Sequence, residues 1–186
     1  MTTPFASAAA YPDRHGTPYP AQLHALLADR FVLDGSQTAL ELGARGADAG
    51  PGPGVLALSL TPSVDHVYAV HPDPEVLAEG SRLAEERGCP NVSWLEGDAS
   101  AITRLCLPRI DLCVIGGAFD EMDGERVLAD LDTVLAPRGG VAVITSPDRL
   151  EDLTDVLAKS VFSRVETTSW EQPAGLTAVV ATRPRL

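Results

Sequence analysis

Glu41 stands in an apolar run, between Leu40 and Leu42, and is followed at once by Gly43. The chain then passes through Gly46, Gly50, Gly52 and Gly54 into VLALSL. A carboxylate at a strand end, then glycines, then a helix start is a pattern that lets a ligand approach backbone amides and a helix N-terminus. A nucleoside-like cofactor suits such a turn, and a glycine-rich connection that binds nothing is the bland alternative for one loop alone. Further candidates lie on either side of it. Asp120 and Glu121 follow Phe119, and Asp120 is the leading candidate for a base that removes a proton from an acceptor, against a solvated loop carboxylate beside Asp123. His15, with Tyr11 and Tyr19 around it, could serve as a base near neutral pH, or the segment could simply pack. No His, Cys and carboxylate cluster has metal spacing, and no Ser/His/Asp order sits on a nucleophile elbow.

These residues need a scaffold that brings them to one place. The 186 residues, 45% of them hydrophobic, suffice for one well-buried domain and not for two ordinary ones. The balance of 26 acidic against 14 basic residues, a formal charge of −12, repels phosphate backbones and anionic membrane surfaces. Nucleic acid and membranes are therefore not expected as partners, and a homodimer is possible. Cys89, Cys106 and Cys113 lack CxxC spacing and read as reduced, buried thiols of a cytoplasmic protein. The abundance of Ala, Gly, Pro and Arg, with Lys159 the single lysine, suggests a bacterial source. No basic leader with an apolar core and no uninterrupted run of about 18 apolar residues occurs.

Strand-like and helix-like stretches alternate after residue 38, which argues for a parallel sheet with helices on both faces. Strands are expected at 39–43, 66–70, 92–96, 110–115, 141–145, 162–168 and 177–182. Helices are expected over 21–31, 74–87, around 127–135, and from Ser146-Pro147 through Leu157. Asp73 can cap the second of these, Pro74 suits its first turn and Gly88 ends it. The last two strands are joined by SWEQPAGL, which leaves no room for a crossover helix, so they must pair antiparallel. Trp94, Trp170, His24 and His66 read as structural. Residues 1–37 are expected to form a leading segment and helix, and 38–186 a single domain.

The order of motifs resembles the class I S-adenosylmethionine-dependent methyltransferases, particularly a small-molecule group with a YP-containing leading helix, over essentially the whole chain. ALELG with GPGPGVLALSL resembles the first cofactor motif. VYAVHPDPEVLAEGSRLA resembles the second strand and helix, NVSWLEGDAS the third strand with its GDA turn, and DLCVIGGAFDEMD with VLAPRGGVAVIT the fourth strand through the fifth. The resemblance implies a doubly wound, seven-stranded, mostly parallel α/β sheet ending in an antiparallel hairpin, with S-adenosylmethionine as cofactor and methyl transfer to a small molecule. It places Glu41 and Gly43 under the amino acid moiety and Gly52 and Gly54 near its carboxylate. Asp98 would accept from the adenine amino group, with the Ala99 amide near the ring, and Gly116 and Gly117 would floor the pocket beside the sulfonium. The leading segment, residues 1–37, would lie on the lid or substrate side; Tyr11, Tyr19 and Phe119 fall on the substrate side, with Asp120 and His15 as bases.

Two departures accompany it. ARGADAGP, between Gly43 and Gly52, reads as an insertion. The family has Asp or Glu at the end of the second strand to accept from both ribose hydroxyls, and His71 stands there instead. A neutral imidazole accepts one such bond, which implies a loss of roughly 1 to 3 kcal/mol of cofactor binding; Asp73 could substitute, although its capping role is the stronger reading. A second function therefore stays open: a relative that keeps the fold without methyl transfer, as a binding subunit or as a cyclase or isomerase in the old pocket. A nicotinamide-dependent oxidoreductase fares worse, because no GxGxxG stands directly after a strand.

Overall fold

A computed structural model describes residues 19–43, 53–162, 164–170 and 175–183. They form one sheet of seven strands, β1 (Thr38–Leu42), β2 (His66–His71), β3 (Val92–Glu96), β4 (Ile110–Gly116), β5 (Leu135–Thr145), β6 (Arg164–Trp170) and β7 (Leu176–Thr182). Their order across the sheet is β3-β2-β1-β4-β5-β7-β6. The first five pair in parallel, and β7 runs antiparallel between β5 and β6. This is the Rossmann-like methyltransferase topology that the motif order implies.

The central strands are apolar at nearly every position because both faces are covered. Alternate residues feed two different cores. Leu40, Cys113, Ile115, Val141, Val143 and Val179 pack with α4 (Gly124–Val134) and α5 (Leu150–Ala158). Ala39, Leu112, Val114, Ala142, Ile144 and Val180 pack with α1 (Ala21–Phe31) and α2 (Val55–Leu60). Leu23 and Leu27, four apart on one stripe of α1, are fully buried, so this leading helix belongs to the core.

Helix α3 (Pro74–Arg87) begins and ends as its sequence dictates. The Asp73 carboxylate accepts from the Glu75 amide at 2.8 Å, Pro74 occupies the first turn, and Gly88 closes the helix at φ 64°. Capping is thus the observed role of Asp73.

Several boundaries move. Strand β5 begins at Leu135 rather than Val141, because LAPRGG continues the pairing through a bulge: Ile110 sits opposite Leu135, and Leu112 opposite Gly140. Arg183 braces the bulge by donating to the Ala136 carbonyl at 3.0 Å while pairing with Asp132. Strand β6 begins two residues late, since Phe162 is a fully buried plug at the end of α5 and not a strand residue. The fourth helix opens with a 3-10 turn, Pro147–Arg149, before α5 proper. Of the three thiols, all free, only Cys113 is buried; Cys89 is half-buried and Cys106 exposed, a correction to the expectation of buried cysteines.

Candidate functional site

The strand order reverses between β1 and β4, the switch point at which open α/β sheets leave a crevice beyond the carboxyl ends of their strands. Three of the singled-out residues sit there, at the ends of adjacent strands: Glu41 on β1, His71 on β2 and Gly116 on β4. By the alternation of the strands, they share the face covered by α1 and α2.

Glu41 is 4% exposed. Its Oε2 accepts from the Ala57 amide at 3.0 Å, in the first turn of α2. Burial raises its carboxyl from the ordinary 4.5 to about 7, against the opposing effect of the Ala57 N–H. The neighbouring Cys113 thiol is also pushed up, by burial first and then by the Glu41 charge. A carboxyl held at the edge of neutrality beneath a crevice is a charge that a cationic ligand can draw out.

Gly43 has φ 68°, and a Cβ there would come within 2.8 Å of Ala118 Cβ and 2.9 Å of Met122 Cε, so the turn after β1 tolerates no side chain. Its amide donates to Val70 O at 3.0 Å, and the Gly117 amide donates to Ile144 O at 2.8 Å. Both N–H groups therefore extend the sheet. Gly116 has ordinary φ but a crowded neighbourhood: a Cβ would collide with the Tyr19 hydroxyl and lie 2.8 Å from Leu56 Cδ1. Tyr19 and Gly116, 97 residues apart in sequence, thus meet at the carboxyl end of β4.

Asp98 is exposed and caps the 3-10 turn Ala99–Arg104; its Oδ1 accepts from the Ser100 amide at 2.8 Å and the Ser100 hydroxyl at 2.6 Å. The Ser100 hydroxyl bond, with the amide bond behind it, keeps its carboxyl below the usual range. An adenine amino group would have to be met by the other oxygen. Ala99 is half-buried against the α4 side of the core. Asp120 is half-exposed just beyond β4, with Arg149 Nε 3.6 Å from its Oδ2.

Two assignments need correction. Phe119 is 6% exposed and packs in the core, where a Cβ on Gly124 would lie 2.8 Å from its ring; it is turned inward by packing and does not line a substrate surface. His71 Nδ1 accepts from the Asp73 amide at 2.9 Å, so the one acceptor of a neutral ring is already occupied and cannot accept from a ribose hydroxyl as the sequence suggests. His15, Tyr11 and Gly52, and the inserted ARGADAGP, lie outside the described residues.

Sequence reading missed Ala118, Met122 and Leu56 as the side chains packed against Gly43 and Gly116, since single apolar residues carry no signal of their own. It also missed what Trp94 does. Cβ atoms on Gly54, at the start of α2, and on Gly80, inside α3, would both collide with its ring. The glycine in mid-helix was the available clue. Among the described residues no group of three or more His, Cys, Asp or Glu side chains is placed to hold a metal ion, and no helix is long and apolar enough to cross a membrane.

With this geometry in view, the chain is similar to known proteins in a consistent way. A family pattern described as a methyltransferase domain matches residues 47–139. A probable cobalt-precorrin-6B C(15)-methyltransferase (decarboxylating) of Methanothermobacter thermautotrophicus is 34% identical over 98 residues, which are 52% of this chain and 49% of that protein. The chain thus matches over about half the length of this curated relative. Among solved structures, precorrin 8W decarboxylase from Methanobacterium thermoautotrophicum superposes with TM-score 0.68 at 22% identity, covering 90% of this chain and 92% of that one. A SAM-dependent methyltransferase from Aquifex aeolicus does so with TM-score 0.67 at 17% identity, covering 99% and 100%. At these identities the structures speak for the fold, while the matched family pattern speaks for descent: the chain belongs to the class I S-adenosylmethionine-dependent methyltransferases.

Proposed function

We propose that this chain binds S-adenosylmethionine in the crevice between β1 and β4 and transfers its methyl group to a small molecule, with a precorrin as the first acceptor to test. The observation that carries the reading is the conjunction at the switch point: buried Glu41 holding the first turn of α2, and a β4 end at Gly116 too close-packed for any Cβ. The choice of acceptor is supported by the name of the Methanothermobacter relative.

Bound S-adenosylmethionine supplies a methyl group on a sulfonium, and the protein has mainly to hold it in line with the acceptor and exclude water. Glu41 would place negative charge below the cationic part of the cofactor. Tyr19, lying on Gly116, would close the floor of the pocket and limit the space beside the reacting carbon. Asp98 and Ala99 would meet the adenine. Asp120, steadied by Arg149, would take the acceptor's proton at its exposed carboxylate. His15 and Tyr11 would contribute from the leading segment.

A second reading keeps the fold without methyl transfer, and the engaged Nδ1 of His71 favours it. Isothermal titration with S-adenosylmethionine and S-adenosylhomocysteine separates the two. Micromolar binding of both, weakened by Gly116→Ala, supports the methyltransferase reading and leads to labelled-methyl transfer onto precorrins. No heat from a folded protein at millimolar ligand would sink it.

A further inference from the structure

At the end of β2 the backbone forms a small fixed frame. Pro72 and Pro74 restrict φ on either side of Asp73. The Asp73 amide donates back to His71 Nδ1 at 2.9 Å, while its carboxylate accepts forward from the Glu75 amide at 2.8 Å. A ring nitrogen that accepts carries no proton, so the proton of the neutral imidazole sits on Nε2. His71 therefore has its donor on the nitrogen that Asp73 leaves unused. Asp73 gives one carboxylate oxygen to the helix cap.

We propose that His71 inverts the hydrogen-bond polarity of the ribose subsite: its Nε2–H donates to one ribose oxygen, where an acidic residue would accept from both hydroxyls. This rests on the cofactor reading above and deepens it, because it makes His71 a specificity-determining residue. A diol that must donate twice to a carboxylate is strongly distinguished from its 2′-deoxy analogue. A single bond accepted by either oxygen distinguishes them little.

Two measurements test the proposal. The first needs no ligand: long-range 15N–1H NMR of the histidine-labelled protein, with His71→Gln used to assign one of the four histidines. A resonance pattern of the Nε2–H tautomer, with Nδ1 as acceptor, is expected; an Nδ1–H tautomer would overturn the inference whatever the cofactor does. The second is titration of wild type, His71→Ala, His71→Gln and His71→Glu with S-adenosylhomocysteine and its 2′-deoxy analogue. Expected are a loss of about fivefold for the alanine variant, near recovery for glutamine, which keeps an N–H donor, and a gain of about tenfold for glutamate. The 2′-deoxy analogue should cost wild type less than about threefold and the glutamate variant more than about tenfold. Wild type that binds the ribo ligand while discriminating strongly against the deoxy one, or alanine binding as tightly as wild type, overturns the proposal and leaves the methyltransferase reading standing. Absence of binding in all four folded proteins removes both.

Discussion

The Tyr19 hydroxyl crowds the point where a Cβ on Gly116 would be, so the segment before α1 and the end of β4 fit each other only because residue 116 has no side chain. Gly116 does not have positive φ, so a substitution here meets a steric obstacle and no backbone strain. Leu56 Cδ1, at 2.8 Å from the same point, closes the other side. We predict that Gly116→Ala destabilises the fold by about 1 to 3 kcal/mol, the usual cost of overpacking. Tyr19→Leu, made in the same background, should return part of that loss. Urea unfolding of the two single variants and the double variant gives the coupling; additive effects would show that the two residues do not share the space.

Glu41 makes stability depend on pH in a stated direction. Its folded carboxyl titrates at about 7 and its unfolded one near 4.5, so between those values the folded state holds more protons. The stability contributed by the protonated carboxyl is complete below the lower value and is lost as pH rises through about 7. The full span is about 3 kcal/mol. Glu41→Gln should therefore be more stable than wild type at pH 8, with the advantage fading by pH 5, as read from urea midpoints. The same variant should bind S-adenosylmethionine about tenfold more weakly, because a neutral amide does not answer the ligand's positive charge. Equal pH profiles for the two proteins would show that burial does not perturb Glu41.

Most of the fold was legible because its signals are repeated: apolar runs at seven places, caps at Asp73 and Gly88, and a hairpin forced by a short loop. The boundaries that slipped did so for tertiary reasons. Nothing local in LAPRGG shows that it pairs with β4 through a bulge, and nothing in SVFSR shows that Phe162 is a core plug. The positions of Glu41, His71 and Gly116 at strand ends were legible because the motif order fixes which strands carry them. Their hydrogen-bond states were not, since the Asp73 amide that occupies His71 Nδ1 is a matter of backbone direction two residues on. Phe119 was misplaced because a 3-10 turn, Phe119–Glu121, turns its ring toward α4.

Gly80 gives a test in which local propensity and packing point in opposite directions. In mid-helix, Gly→Ala ordinarily stabilises by roughly 1 kcal/mol. Here the added Cβ would run into the Trp94 ring, with Cε3 at 2.9 Å and closer atoms beyond it. Gly80→Ala is expected to lower the thermal midpoint in wild type and to raise it in a Trp94→Leu background. The sign change is the result that matters; a gain in both backgrounds would mean that the indole yields without cost.

Asp120 and Arg149 join the loops after β4 and β5, with Nε 3.6 Å from Oδ2 and both side chains about half exposed. An ion pair so placed is worth about 0 to 1 kcal/mol, so removing it leaves the fold intact. That makes Asp120→Asn a clean probe of chemistry. If Asp120 takes the acceptor's proton, the variant should keep its unfolding midpoint and its affinity for S-adenosylhomocysteine while turnover falls by about 100-fold or more. Arg149→Ala should leave the base in place but less well positioned, with a smaller loss in turnover than Asp120→Asn. Normal turnover by Asp120→Asn, on whichever acceptor wild type methylates, would return Asp120 to the role of a solvated loop carboxylate and move the search for a base to the leading segment, where His15 lies.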